Sequence, residues 1–162
     1  MFRRSMMCCA ISVCALGAAF AQTTTTTTRT LNFPPFGLGS SETARINLTN
    51  LATASSSGTA ASCTGSASFV NATGATIGTA TSFTIASGVT TPVSLPFGNA
   101  AISTPRSSIR AVVAVTRSTS SPTPCRLLIS VETFDTSTGA GHLYISGGEY
   151  DAGPGFGGGH SD

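Results

Sequence analysis

The chain has 162 residues, which is enough for one domain with a core of ordinary size. All eight of its basic residues are arginine, six residues are acidic, and only 9% of the chain is charged. Because binding to nucleic acid or to anionic lipid depends on clustered lysine and arginine, this composition excludes both as partners.

Residues 1–21 have the pattern of a secretory signal peptide. Two arginines precede the uncharged apolar run Met6–Phe20, and small residues occupy the −3 and −1 positions of a cleavage site between Ala21 and Gln22. The run is shorter than the roughly 20 apolar residues of a membrane-spanning helix. We expect a signal helix that is removed on export, a secreted or periplasmic protein, and a neutral mature chain without a transmembrane segment.

Five cysteines are present, and the signal peptide contains three of them, Cys8, Cys9 and Cys14. Cys63 and Cys125 remain after cleavage. An even number of cysteines in an exported protein favours one intramolecular disulfide. Two free buried thiols or an intermolecular bridge are the alternatives.

The mature chain begins with a leader, residues 22–30, that contains six consecutive threonines and is predicted to be disordered, because it has no apolar face to bury. Order is predicted to begin at Leu31–Phe33. Pro34 and Pro35 fix an extended kink. Phe36–Gly39 is predicted to continue as a turn.

The next segments alternate between apolar and polar residues, which is typical of strands with one wet face. Thr43–Leu51 is the first of these strands, and a small polar loop follows it. Cys63–Phe69 alternates in the same way. Asn71–Gly74 is a turn signal, so we expect a hairpin whose return strand is Thr76–Thr81.

Three further alternating segments follow, Ser82–Ile85, Pro92–Phe97 and Ile109–Val115. Apolar residues fall on both faces of the last one, and Arg110 is the one charged residue near its middle. This pattern is compatible with a strand that is buried on both faces.

Cys125–Asp135 is the clearest strand, with four apolar residues on one face. Asp135–Gly139 is a turn, and His142–Ile145 is predicted to return as a closing strand. Residues 147–162 are rich in glycine and have little to bury, so they are predicted to be a disordered tail. The folded domain is therefore predicted to span 31–146.

About seven or eight short strands separated by Gly, Pro, Ser and Thr loops indicate an all-β, antiparallel sandwich or small barrel. The separation of Cys63 and Cys125 is similar to the cysteine spacing that joins the two sheets of immunoglobulin domains. The chain has no tryptophan, so an antibody-type domain is not indicated. We predict an immunoglobulin-like β-sandwich.

Several segments resemble a group of small exported bacterial proteins of unknown function. Phe33–Leu38, Thr43–Leu51, the two later cysteines and Val131–Asp135 carry this resemblance, which covers roughly residues 31–146. It implies an immunoglobulin-like sandwich. It implies no activity and no functional residue.

Few titratable residues are placed to form a catalytic or metal site. Glu132 and His142 are predicted to face each other across the Asp135–Gly139 hairpin, with Tyr144 nearby. Such a pair is an acid/base pair, half of a metal site, or a cross-strand polar pair on a wet face. With no nucleophile or third ligand in view, we favour the polar pair and assign no catalytic, cofactor-binding or metal residue.

The acidic and histidine residues near the C-terminus have the spacing of neither a calcium loop nor a zinc site. We interpret them as solvated charge. They are Glu149, Asp151, His160 and Asp162.

The sequence therefore predicts a non-catalytic structural or interaction module of the bacterial cell envelope or extracellular space, without a cofactor. Its expected partner is another envelope protein or a glycan. A carbohydrate-binding module is one alternative, and it requires two or more coplanar exposed aromatic rings. A small hydrolase or metal-dependent enzyme that uses Glu132 and His142 is the other.

Overall fold

The computed structural model describes residues 25–53, 61–100, 104–118 and 125–151. The predicted signal peptide, its cleavage site and the tail from residue 152 onward lie outside these ranges. The described residues form nine strands and a short 3-10 turn, Phe97–Asn99. The strands are β1 (Thr26–Asn32), β2 (Phe36–Gly39), β3 (Glu42–Asn50), β4 (Cys63–Asn71), β5 (Thr76–Ile85), β6 (Thr90–Pro96), β7 (Arg106–Ser118), β8 (Arg126–Asp135) and β9 (Gly141–Asp151).

These strands form two antiparallel sheets, which confirms the prediction of an all-β sandwich. Sheet A has the order β1-β7-β4-β5, and β2 pairs with the same edge of β7 as β1 does. Sheet B has the order β6-β3-β8-β9. The two sheets enclose one hydrophobic core.

The core consists of the inward-facing residues that the alternation predicted. In β8, Leu127, Ile129 and Val131 are at most 1% exposed, and in β3 Ile46 and Leu48 are fully buried. Full burial of such a side chain contributes roughly 1.5–3 kcal/mol to folding. The centre of sheet B is therefore held by apolar contacts with sheet A.

Strand β7 is buried on one face and only half-buried on the other. Ile109, Ala111, Val113 and Val115 point into the core, whereas the opposite face is partly exposed. A two-layer sandwich covers only the inner face of each sheet, so the outer residues of β7 are shielded mainly by their neighbours in sheet A.

A disulfide joins Cys63 and Cys125, as predicted, with their Cα atoms 5.2 Å apart. Cys63 begins β4 in sheet A, and Cys125 immediately precedes β8 in sheet B. Both residues are buried. The bond therefore connects the two sheets across the core, and the alternatives of free thiols or an intermolecular bridge do not apply.

Two local predictions are wrong. Phe36–Gly39 is β2 rather than a turn, because its backbone pairs with Arg106–Ile109 of β7 while Phe36 and Leu38 point inward. Ser82–Ile85 does not form a separate strand, because it continues β5. These two changes cancel in the count, and β1 is the additional strand that gives nine strands in the described residues, instead of about seven or eight.

The predicted disordered leader is wrong for residues 26–30, which belong to β1. Their side chains are exposed, so burial of apolar surface does not order them. These residues are ordered by main-chain pairing with β7, for example between Arg29 and Val115. Threonine is β-branched and favours this extended backbone.

The predicted boundary between domain and tail is also wrong, because β9 continues to Asp151. Gly148 has a φ of +73° at an irregularity in the pairing of β8 with β9, where a glycine is favoured. A Cβ atom on Gly147 would overlap the Phe33 ring, so glycine at this position leaves room for that ring. Tyr150 is buried beyond this point.

Candidate functional site

Glu132 lies on the outer face of sheet B, between Arg45 of β3 and Tyr144 of β9. Its Oε1 accepts a hydrogen bond of 3.0 Å from Asn47 Nδ2. The same oxygen is 3.6 Å from Arg45 Nη1. Glu132 therefore belongs to a polar network that runs across the sheet.

His142 has a different partner, so the predicted pairing of Glu132 with His142 is wrong. Its Nδ1 is 2.6 Å from Oε1 of Glu42. The register explains the difference, because Thr133 pairs with Leu143 and Phe134 pairs with Gly141. His142 is the extra residue of this irregularity, which a simple hairpin register does not anticipate.

Glu42 is a site residue that the sequence reading missed. It is 9% exposed, and its Oε2 accepts a 2.6 Å hydrogen bond from the Gly39 N–H. Burial alone raises the pKa of Glu42, but the bonds from Gly39 and His142 and attraction to His142 and Arg106 outweigh it, so the pKa is lowered. The sequence contained one indication of this role, because Glu42 alternates in step with the inward-facing residues Ala44, Ile46 and Leu48 of β3.

The cluster of Glu42, His142 and Arg106 links both sheets at one end of the sandwich. Glu42 bonds to β2 in sheet A and to β9 in sheet B. Over the described ranges, no three His, Cys, Asp or Glu side chains are close enough to hold a metal ion. The contacts of this cluster give it a structural role.

We expect Glu42→Gln to destabilise the protein at neutral pH, and the deficit to shrink in acid. A carboxyl group whose pKa is lower folded than unfolded contributes stability above its unfolded value, near 4.5, and loses it as the pH falls through the folded pKa. Glutamine keeps the shape but not the charge. Urea unfolding at about pH 6 and about pH 3 measures both deficits.

Glu149→Gln is the matched control. Glu149 is 2.5 Å from Arg126, but both side chains are about two-fifths exposed, so this pair contributes at most about 1 kcal/mol. A deficit of Glu42→Gln that is equal at both pH values would contradict the assigned role of the carboxylate.

The carboxylate of Asp135 is occupied by hydrogen bonds within the predicted turn that leads to β9. Its Oδ1 accepts bonds from the hydroxyl and N–H groups of both Ser137 and Thr138, at 2.6–3.0 Å. The Ser137 hydroxyl and then the Thr138 donors hold the pKa of Asp135 well below its usual range. This carboxylate stabilises the turn.

The predicted solvated charges of the tail are only partly described. Glu149 is an ion-pair partner of Arg126 rather than free charge. Asp151 ends β9, and His160 and Asp162 lie outside the described residues.

The outer face of sheet B carries one freely exposed aromatic ring. Tyr144 is 67% exposed. Phe134 is half-buried, and the guanidinium of Arg45 lies 4.3 Å from its ring centroid. The described part of this face therefore presents one open ring, and not the two coplanar rings that a flat carbohydrate platform requires.

Two concave features lie elsewhere on the domain. A pocket of about 380 Å³ is bounded by Phe33, Pro35, the turn Asn71–Gly74 and the segment Ser108–Arg110. A cleft of about 470 Å³ separates the edge strands β5 and β6, and its lining includes Phe69, Ile77, Val93 and Leu95. The first contains the guanidinium of Arg110, and the second combines its apolar side chains with threonine, serine and asparagine residues.

Comparisons with protein families, with curated proteins and with solved structures find no match to this chain. Among the residues described, no helix is long and apolar enough to cross a membrane.

Proposed function

We propose that the protein is an exported, non-catalytic interaction module of the bacterial cell envelope or extracellular space. Removal of the signal peptide between Ala21 and Gln22 would release it to the periplasm or medium. The immunoglobulin-like type of the sandwich is part of this proposal. Two features support the immunoglobulin-like type. One is the disulfide between the sheets. The other is that the consecutive strands β3 and β4 pair with the consecutive strands β6 and β7, β3 with β6 in one sheet and β4 with β7 in the other.

The exposed edge of β9 carries the proposal. Edge strands normally contain features that prevent further pairing, such as proline, charge or a bulge. Prolines occur in β6 and between β1 and β2, and β5 has a positive φ at Gly78 and an irregular pairing with β4. The segment Leu143–Ser146 of β9 lies between the irregularities at His142 and at Gly147–Gly148, and it contains no proline and no Asp, Glu, Lys or Arg.

The side chains around this edge suit a protein partner. Tyr144 is 67% exposed, and Leu143 is 36% exposed. A strand added beside Leu143–Ser146 would bond to its open main-chain groups and contact these side chains. Another envelope protein is therefore the proposed partner.

The enzymatic alternative loses its basis, because Glu132 and His142 have separate partners. The carbohydrate alternative rests on Tyr144 alone among the described aromatic residues. A glycan is retained only as an outcome of the experiment below.

Photo-crosslinking at Tyr144 tests the proposal. With p-benzoyl-phenylalanine at this position, irradiation of the exported protein should give a discrete adduct with another envelope protein. Mass spectrometry identifies the adduct and should show that the exported chain begins at Gln22. The same amino acid at Val89, which is 45% exposed away from β9, should give none.

Leu143→Lys is the second control. A lysine on an edge strand opposes pairing, and Leu143 is 36% exposed, so the fold should tolerate it while the adduct disappears. Absence of an adduct from position 144, or equal adducts from 144 and 89, would contradict strand addition at β9. An adduct with a glycan would contradict a protein partner and support the carbohydrate-binding alternative.

A further inference from the structure

We infer that the pocket beside Arg110 is a binding site for a carboxylate attached to an apolar group. This site is on sheet A and does not include the exposed edge of β9. Its volume of about 380 Å³ lies in the range of small-ligand pockets.

The first argument is the charge of Arg110. Four of the six arginines in the described ranges have an acidic or aromatic neighbour. These are Arg29 over Tyr150, Arg45 beside Glu132, Arg106 near Glu42 and Arg126 beside Glu149. Arg110 has no ion-pair or aromatic partner among the described residues, although it is half-buried. A partly desolvated cation of this kind is stabilised by a bound anion.

The second argument is the position of the guanidinium. Arg110 lines the pocket, and its Nη2 lies 4.0 Å from where a Cβ of Gly74 would be. Ser108 precedes Arg110 by two residues on the same strand and therefore lies on the same face of the sheet. The cation and a hydroxyl donor are thus on one side of the pocket.

The third argument is the apolar part of the lining, which we call the apolar wall. It consists of Pro35 and the small exposed part of Phe33, which is 7% exposed and has its ring against Gly147 of β9. The Phe33 N–H also donates a 3.0 Å bond to the Ala111 carbonyl of β7. This wall favours an anion with a flat apolar body over a fully hydrated anion such as inorganic phosphate.

Both a free organic acid and the C-terminal carboxylate of a polypeptide have this chemistry. Phenylacetate represents the first source, and acetyl-alanyl-phenylalanine represents the second. The amide of each compound has the same apolar body without the charge. Inorganic phosphate has charge without an apolar body.

The test is a titration of the isotope-labelled protein, followed through backbone amide signals in NMR spectra. The acids should shift the signals of Thr73, Gly74 and Ser108, and both amides and phosphate should bind at least about ten-fold more weakly. Tighter binding of the peptide acid assigns the source as a polypeptide C-terminus. Tighter binding of phenylacetate assigns a free acid.

Arg110→Gln should weaken binding of the acids by about ten-fold or more, while Arg110→Lys should retain part of it, because it keeps the charge without the bidentate geometry. Arg117→Gln is the control, since it removes the same charge from the same strand roughly 23 Å away. The amide spectra also show whether each variant is folded.

Three results with the acids and the variants, and a fourth with phosphate, would overturn the inference. The first three are no shifts around the pocket, equal binding of acids and amides, and equal losses in Arg110→Gln and Arg117→Gln. Phosphate that binds as tightly as the acids would also overturn it, because the apolar wall would then have no role. None of these results depends on the exposed edge of β9, so they leave the proposed interaction module untouched.

Discussion

Replacing Cys63 and Cys125 together by alanine should lower the free energy of unfolding by about 4 kcal/mol. The disulfide closes a separation of 62 residues, and in the chain-entropy model this cross-link acts mainly by restricting the unfolded chain. Both residues are buried between the sheets, so alanine adds no polar group to the core. Urea unfolding of the double variant and the oxidised wild type measures the difference.

Reduction provides the control for this experiment. Wild-type protein unfolded in the presence of a reductant should approach the stability of the double variant, and the double variant should not respond to the reductant. Two thiols that react with an alkylating agent in the native, unreduced protein would contradict the disulfide. Equal stability of wild type and double variant would contradict its energetic role.

Asn50→Asp should destabilise the protein by about 3 to 5 kcal/mol at neutral pH. Asn50 is fully buried at the end of β3. Its Nδ2 donates to the carbonyls of Ala61 and Ile85, at 2.8 and 2.9 Å, and its Oδ1 accepts from the Ala52 N–H. Aspartate would lose both donors and place a negative charge against two carbonyl oxygens.

Asn71→Asp is the matched control, because the same chemical change removes no hydrogen bond there. Within the described ranges only the Oδ1 of Asn71 is used, and it accepts from Thr73 and Ala75. A carboxylate can accept the same bonds, and it would add an anion to the pocket that contains Arg110, so the variant should lose at most about 0.5 kcal/mol and could gain stability. Similar losses in the two variants would contradict the argument from the donors of Asn50.

Acid should reduce the deficit of Asn50→Asp. Burial raises the pKa of a carboxyl group in such a position, and protonation restores one donor and removes the charge. Comparison of wild type and variant at about pH 7 and about pH 4 would therefore show a smaller difference in acid. This response separates the buried charge from a packing defect, which would not depend on pH.

The candidate sites were only partly predictable from the sequence. Glu132, His142 and Tyr144 were correctly placed near one hairpin, because the turn at Asp135 has a strong local signal. The partner of His142 was missed, since Glu42 is one hundred positions away and the extra residue in β9 changes the register. Arg110 was visible as a charge within an apolar strand, but its pocket depends on segments far apart in sequence.

The sequence by itself determined the all-β class and the inward faces of β3, β4 and β8, and it favoured the pairing of Cys63 with Cys125. Residue alternation and turn chemistry are local properties, and with only two cysteines outside the predicted signal peptide, one intramolecular disulfide was the favoured pairing. Tertiary structure alone decided that β1 and the end of β9 are ordered. Their order comes from main-chain bonds to neighbouring strands and from the contact of Phe33 with Gly147, and side-chain composition does not encode these interactions.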